Sequence, residues 1–176
     1  MLPEFIFFTG IPGSRWSGIA QDMKDELNLN LTDRADHRIY RHGQFSGHVD
    51  AYYGTGMEFN TSLDEDNLNA PFIDKSGSKL LMSHEWPYHF DEIMARYPDA
   101  WITLIYRHEW ESFLWWKKAG GWDITYPNYD WYENDYQMQQ ISKTQNRLIL
   151  DFAQGHELVW KQHELHRDIF VTTYKP

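Results

Sequence analysis

An α/β fold with a mainly parallel sheet flanked by helices is the class this sequence predicts, and three observations carry it. Short, continuous apolar runs recur at residues 5–8 (FIFF), 79–82 (KLLM) and 100–106 (AWITLIY), the pattern of strands buried on both faces. Stretches with apolar residues at helical spacing separate those runs. Each run gives way to polar or turn residues, Thr9-Gly10, Ser83-His84 and Arg107, where strands of such a sheet meet ligand-facing loops.

In chain order, the first run closes at Thr9-Gly10, and Gly10, Pro12 and Gly13 break it. Residues 16–29 read as a helix because Ile19, Met23 and Leu27 recur at steps of four. Residues 30–78, rich in Gly, Asn, Asp, Ser and His, form a loop-rich excursion of the kind that is usually functional or mobile. The strand at 79–82 leads into an amphipathic helix over 87–97 carrying Phe90, Ile93 and Met94. The strand at 100–106 is followed by a helix over 109–118 that stops at Gly120-Gly121. An aromatic loop (WDITYPNYDWY), a long polar helix over 134–155 and a last strand over 168–174 (DIFVTTY) complete the chain. This order brings Thr9-Gly10, Ser83-His84 and Arg107 to one crevice beyond the strand ends.

The 176 residues fit one domain, 1–176, with the excursion at about 30–78 as part of it. A formal net charge of −10 argues against nucleic-acid or anionic-membrane binding, though not against a small anionic ligand. Without cysteine the chain forms no disulfide or thiolate metal site, which is compatible with a reducing cytoplasm. The first residues, MLPEFIFFTG, have an acidic Glu4, no basic region and too short an apolar run for a signal peptide or a span. The expectation is a soluble, cytoplasmic protein.

Residues 10–17, GIPGSRWS, resemble the start of a P-loop, G-x-x-x-x-G-K-[ST], which aims backbone N–H groups and a helix N-terminus at a phosphate. Ser14 and Ser17 add hydroxyl donors. Arg15 and Trp16 replace the glycine and lysine, and no predicted strand end carries an Asp for magnesium, so simple nucleotide hydrolysis is disfavoured. The plainer alternative is an ordinary strand–turn–helix connection.

The arrangement resembles the sulfotransferases, whose first loop has the form P-x-S-G-T-[TS]. Pro12, Ser14 and Ser17 fit that pattern, with Gly13 in place of a lysine, Arg15 in place of glycine and Trp16 in place of threonine. The run LLMSHEWPYHFDEIMARYPDAWITLIYRHEWES is similar to the family stretch from the catalytic histidine to the arginine of the 3′-phosphate site. His84 and Arg107 occupy those positions. The family's partner serine falls at Leu114 or Trp115, with Ser112 as the nearby replacement, and His108-Glu109 stand where the family has Asn/Asp-Pro. The family's glycine-rich basic loop has no clear counterpart, and DIFVTTYKP looks like a strand that ends in tyrosine. The resemblance covers residues 4–24, 79–118 and 167–175 and implies a shortened P-loop NTPase-like, three-layer sandwich.

It further implies transfer of a sulfuryl group from 3′-phosphoadenosine 5′-phosphosulfate (PAPS) to an acceptor hydroxyl or amine, with no metal. On that expectation His84 is the general base. Pro12, Gly13, Ser14, Arg15, Trp16 and Ser17 cradle the phosphosulfate, with Arg15 stabilising the leaving phosphate. Arg107 and Ser112 hold the 3′-phosphate. In the excursion, Tyr52, Tyr53 and Phe59 are candidates to stack on a small-molecule or glycan acceptor, or are simply exposed loop aromatics.

Plainer readings stand beside these. His84 caps or pairs at a strand end, and Arg107 pairs with Glu109 or Glu111. HELVWKQHELH suits no common zinc spacing. Trp110, Trp115 and Trp116 are packing residues, and Asp64-Glu65-Asp66 is a solvated acidic loop. A P-loop nucleotide-binding or kinase-like protein and a non-catalytic binding module remain the competing classes.

Overall fold

The computed structural model describes residues 1–30, 39–40, 51–52, 62–70, 72, 76–124 and 129–176. Its elements begin with β1 (Phe5–Thr9), α1 (Trp16–Leu27), the short pair β2 (Ile39–Tyr40) and β3 (Ala51–Tyr52), and α2 (Glu65–Asn69). They continue with β4 (Lys79–Met82), α3 (Phe90–Arg96), β5 (Trp101–Arg107), α4 (Glu109–Ala119), α5 (Asp135–Gly155), β6 (Lys161–Gln162) and β7 (Ile169–Tyr174). The fold is α/β, and the strands and helices read from apolar spacing fall where expected, to within a few residues.

β1 is buried along its whole length because both of its faces are covered. Ile6 and Phe8 join Trp16, Ile19, Phe113 and Trp116 on the side of α1 and α4. Phe5 and Phe7 join Trp86, Phe90, Ile93 and Phe152 on the other side. Two-sided burial is why these strands show unbroken apolar runs instead of alternation. β4 and β5 flank β1 in parallel, with Phe7 opposite both Leu81 and Ile102.

The sheet as a whole is mixed, not mainly parallel, and this corrects the sequence expectation. Its order is β4-β1-β5-β7-β6, and β7 runs antiparallel to both β5 and β6. After α5 the chain enters β6 at the sheet edge and turns back through residues 163–168. Bonds from His163 N to Ile169 O (2.9 Å) and from Ile169 N to His166 O (3.0 Å) hold that turn. β7 then fills the place between β6 and β5. The two exposed polar residues of β6, Lys161 and Gln162, carry no apolar pattern from which this hairpin could be read.

The antiparallel register has a consequence for the site. It sets Ile169 opposite Arg107, so the turn before β7 lies at the carboxyl end of β5. α5 also reaches that end of the sheet. Gln145 Nε2 donates to the His84 carbonyl (2.8 Å) and Asn146 Nδ2 to the Arg107 carbonyl (2.9 Å), so two adjacent amides staple the helix across the ends of β4 and β5. No helix among the described residues is long and apolar enough to cross a membrane.

Candidate functional site

The loop after β1 is built by two glycines and a proline. Ser14 N donates to Ile11 O (3.1 Å), closing a turn with Pro12 second and Gly13 third at φ 80°, the geometry of a type II turn. Gly13 is also required by packing, since a Cβ there would lie 1.9 Å from the Ser112 carbonyl oxygen. The loop is thereby pressed against the backbone of α4.

Arg15 follows in the left-handed region (φ 60°, ψ 20°) and its carbonyl accepts from Gly18 N and Ile19 N, which starts α1. That conformation costs a residue with a side chain about 1 kcal/mol. The first turn of α1 has no acidic residue, so a guanidinium stands at the positive end of the helix dipole, with Asp22 further along the helix and Asp168 as the carboxylates that act on it. Pro12, Ser14, Trp16 and Ser17 are buried, whereas Gly13 and Arg15 are half-buried.

Arg107, buried at the end of β5, is held on three sides. Its Nε donates to Asp168 Oδ2 (2.7 Å), its Nη2 lies 2.7 Å from the same oxygen, and its Nη1 donates to the Gly13 carbonyl (2.9 Å). The last bond ties the loop to β5. Three cations then gather on one ring: the guanidinium carbons of Arg15 and Arg107 lie 5.3 and 5.6 Å from the centroid of Trp115, and Lys118 Nζ lies 5.7 Å from it. Burial, then the neighbouring Arg107, pushes the Arg15 pKa down. Burial and then the charge of Arg15 do the same to His166, in the turn beside Asp168. Burial is the larger cause of both shifts; neighbouring cations add to it, and Asp168, with Asp22 in the case of Arg15, opposes it.

His84 lies inside. It is fully buried, its Nδ1 is 2.5 Å from the Gly10 carbonyl oxygen, and its ring stacks on Trp16 with centroids 3.9 Å apart. A carbonyl only accepts, so Nδ1 carries the proton. Burial pushes its pKa down to about 3, the Gly10 bond opposing only in part. This imidazole is a neutral packing element in the conformation described, and its pKa lies far from the range that suits a general base at neutral pH.

The remaining candidates divide. Ser112 is fully buried under the loop, and its hydroxyl makes a long 3.5 Å bond to the Arg107 carbonyl. Tyr52 belongs to β3, of which only the backbone is described, and Tyr53 and Phe59 lie outside the described residues. The fold thus brings Gly13, Arg15, Arg107 and Ser112 together around the loop, with His84 behind them. No family model matches this chain, and no curated protein or solved structure matches it either.

Sequence reasoning did not single out Lys118, Asp168, Gln145 or Asn146, and it read Trp115 as packing. Only Trp115 carried a signal, since it stands at a position where the resemblance puts the partner serine. Thr9 Oγ1, Ser14 Oγ, Gln145 Oε1 and Asn146 Oδ1 are buried with no hydrogen-bond partner among the described residues, so the polar interior at these strand ends is incompletely satisfied. His163 and His166 stack with centroids 5.2 Å apart, and among the described residues no group of three or more His, Asp or Glu is placed to hold a metal ion. A cleft of 710 Å³ lined by Leu2, Glu4, Tyr97 and Trp101 lies at the amino ends of β1 and β5, away from all of these groups.

Proposed function

We propose that this domain binds a phosphate- or sulfate-bearing anion at Arg15, Arg107 and Trp115, and that its activity is sulfuryl transfer from PAPS to an acceptor hydroxyl or amine. The convergence of two guanidinium groups on one indole beside the loop after β1 is the observation that carries this reading. Two like charges held together, with a third cation nearby, are stabilised by an oxyanion. The uncompensated N-terminus of α1 favours the same occupant. The loop follows the central strand of the parallel trio β4, β1 and β5, which puts it at the carboxyl ends of the strands, where ligands of open α/β sheets bind.

When bound, PAPS supplies an activated sulfuryl group whose bond to the phosphate breaks as the acceptor oxygen or nitrogen attacks sulfur. Arg15 is placed to neutralise charge at the loop, and Arg107 to meet an anion once its fork is released from Asp168. Proton removal by His84 requires that Trp16 uncover the ring.

A second reading, a binding module on the same fold without histidine chemistry, is favoured by the burial of His84 and its pKa of about 3. Calorimetry with PAPS, adenosine 3′,5′-bisphosphate and ATP with magnesium, alongside a turnover assay, separates the possibilities. Preference for the 3′-phosphorylated ligands with turnover supports the transferase, and the same preference without turnover supports the module. Preference for ATP with magnesium contradicts both.

A further inference from the structure

We propose that Asp168 is a resident counter-anion on Arg107, which an incoming phosphate or sulfate group must displace, so that the 163–168 turn sets anion affinity at this site. The inference rests on the anion-site reading above and adds the residue that regulates it.

Three observations carry it. Nε and Nη2 of Arg107 both meet Asp168 Oδ2 and Nη1 donates to the Gly13 carbonyl, so the Nε–Nη2 edge, one of the two forked edges a guanidinium offers a tetrahedral oxyanion, is covered by a carboxylate. The two partners also differ in freedom: the Asp168 side chain is 44% exposed in a hairpin turn, whereas that of Arg107 is 10% exposed at the end of a central strand. The aspartate is therefore the partner that can leave. Nη1, anchored on Gly13, keeps the guanidinium in place when it does.

The charge of the neighbourhood gives the exchange a direction. Arg15 lies beside Arg107 over the same ring, so removing Asp168 leaves two adjacent guanidinium groups facing each other's charge. A phosphate near neutral pH carries more charge than the carboxylate and has oxygens for both groups. A simple carboxylate brings no more charge than Asp168 and gains nothing by replacing it. The site is thereby selective for phosphate or sulfate groups over carboxylates, and its affinity is the difference between two ion pairs.

The test is calorimetric titration of the wild-type chain and Asp168→Asn with inorganic phosphate, and with acetate as the carboxylate control. Binding of phosphate and not acetate is expected, with roughly tenfold tighter phosphate binding to Asp168→Asn. Equal or weaker binding by the variant, with wild type binding, overturns the inference alone and makes Asp168 a positioning residue for Arg107. Phosphate binding by neither protein overturns the anion site and the inference with it. Should Asp168→Asn fail to fold by circular dichroism, the Arg107 Nε–H resonance of the wild-type protein decides. A shift on phosphate saturation supports displacement, and an unmoved resonance with phosphate bound overturns it.

Discussion

Trp16 and His84 lie ring on ring, with centroids 3.9 Å apart and planes 25° from parallel, so the first residue of α1 roofs the residue that follows β4 and Ser83. The stack holds a neutral imidazole in the interior, with a pKa of about 3 against an ordinary 6.5. Below about pH 6.5 the unfolded chain takes up a proton that the folded chain refuses, so stability rises with pH through this window and falls as pH drops. The loss attributable to His84 approaches about 1.4 kcal/mol per pH unit and saturates near pH 3. His166, also shifted down, adds in the same direction. Urea denaturation of His84→Gln between pH 7 and 4 should show a flatter acid limb than wild type, and an unchanged slope would mean that His84 is not buried in its neutral form.

Gly13 is fixed twice, by its φ of 80° and by the Ser112 carbonyl 1.9 Å from where a Cβ would stand. Gly13→Ala should cost about 2–4 kcal/mol in chemical denaturation, because the clash is with helix backbone and cannot be relieved by a rotamer change. A cost under about 0.5 kcal/mol, within the range of ordinary surface substitutions, would show that the loop does not press on α4 as described.

Arg15 joins backbone strain to a charge disfavoured by burial and by Arg107, which Asp22 and Asp168 offset only in part. Arg15→Gly should stabilise the protein by about 0.5–1 kcal/mol, since glycine enters the left-handed region without penalty and the repulsion from Arg107 is removed. A thermal melt reads this directly. Destabilisation by a similar amount would mean that the contact with Trp115 outweighs the strain.

Asn146 ties the middle of α5 to the end of β5 through a 2.9 Å bond to the Arg107 carbonyl. Asn146→Ala should cost about 1–3 kcal/mol by leaving that buried carbonyl without its amide partner. The same variant should speed hydrogen exchange near Arg107, and protection equal to wild type would show that the staple contributes little.

Much of the fold was legible because its central elements obey simple rules. The runs at β1, β4 and β5 are continuous because both faces are covered, and Pro12-Gly13 announces a turn. The direction of β7 was not legible: it depends on the two polar residues of β6 and on the turn at residues 163–168, HELHRD, which has no glycine or proline to announce it. That single reversal brings Asp168 to Arg107, so the ion pair governing the site could not be read from spacing either. Burial of His84 under Trp16 was hidden for a different reason. A histidine at a strand end gives the same sequence signal whether it faces a ligand or the core, and only the packing of α1 and α5 decides.

The central claim is that Arg15 and Arg107 over Trp115 form an anion site beside the loop after β1. Calorimetric titration of adenosine 3′,5′-bisphosphate into wild type and Arg15→Gly tests it most directly. The account predicts binding to wild type and a loss of roughly tenfold or more in the variant, in keeping with removal of a charge-assisted contact. No binding to wild type, or equal binding to both proteins, would contradict it.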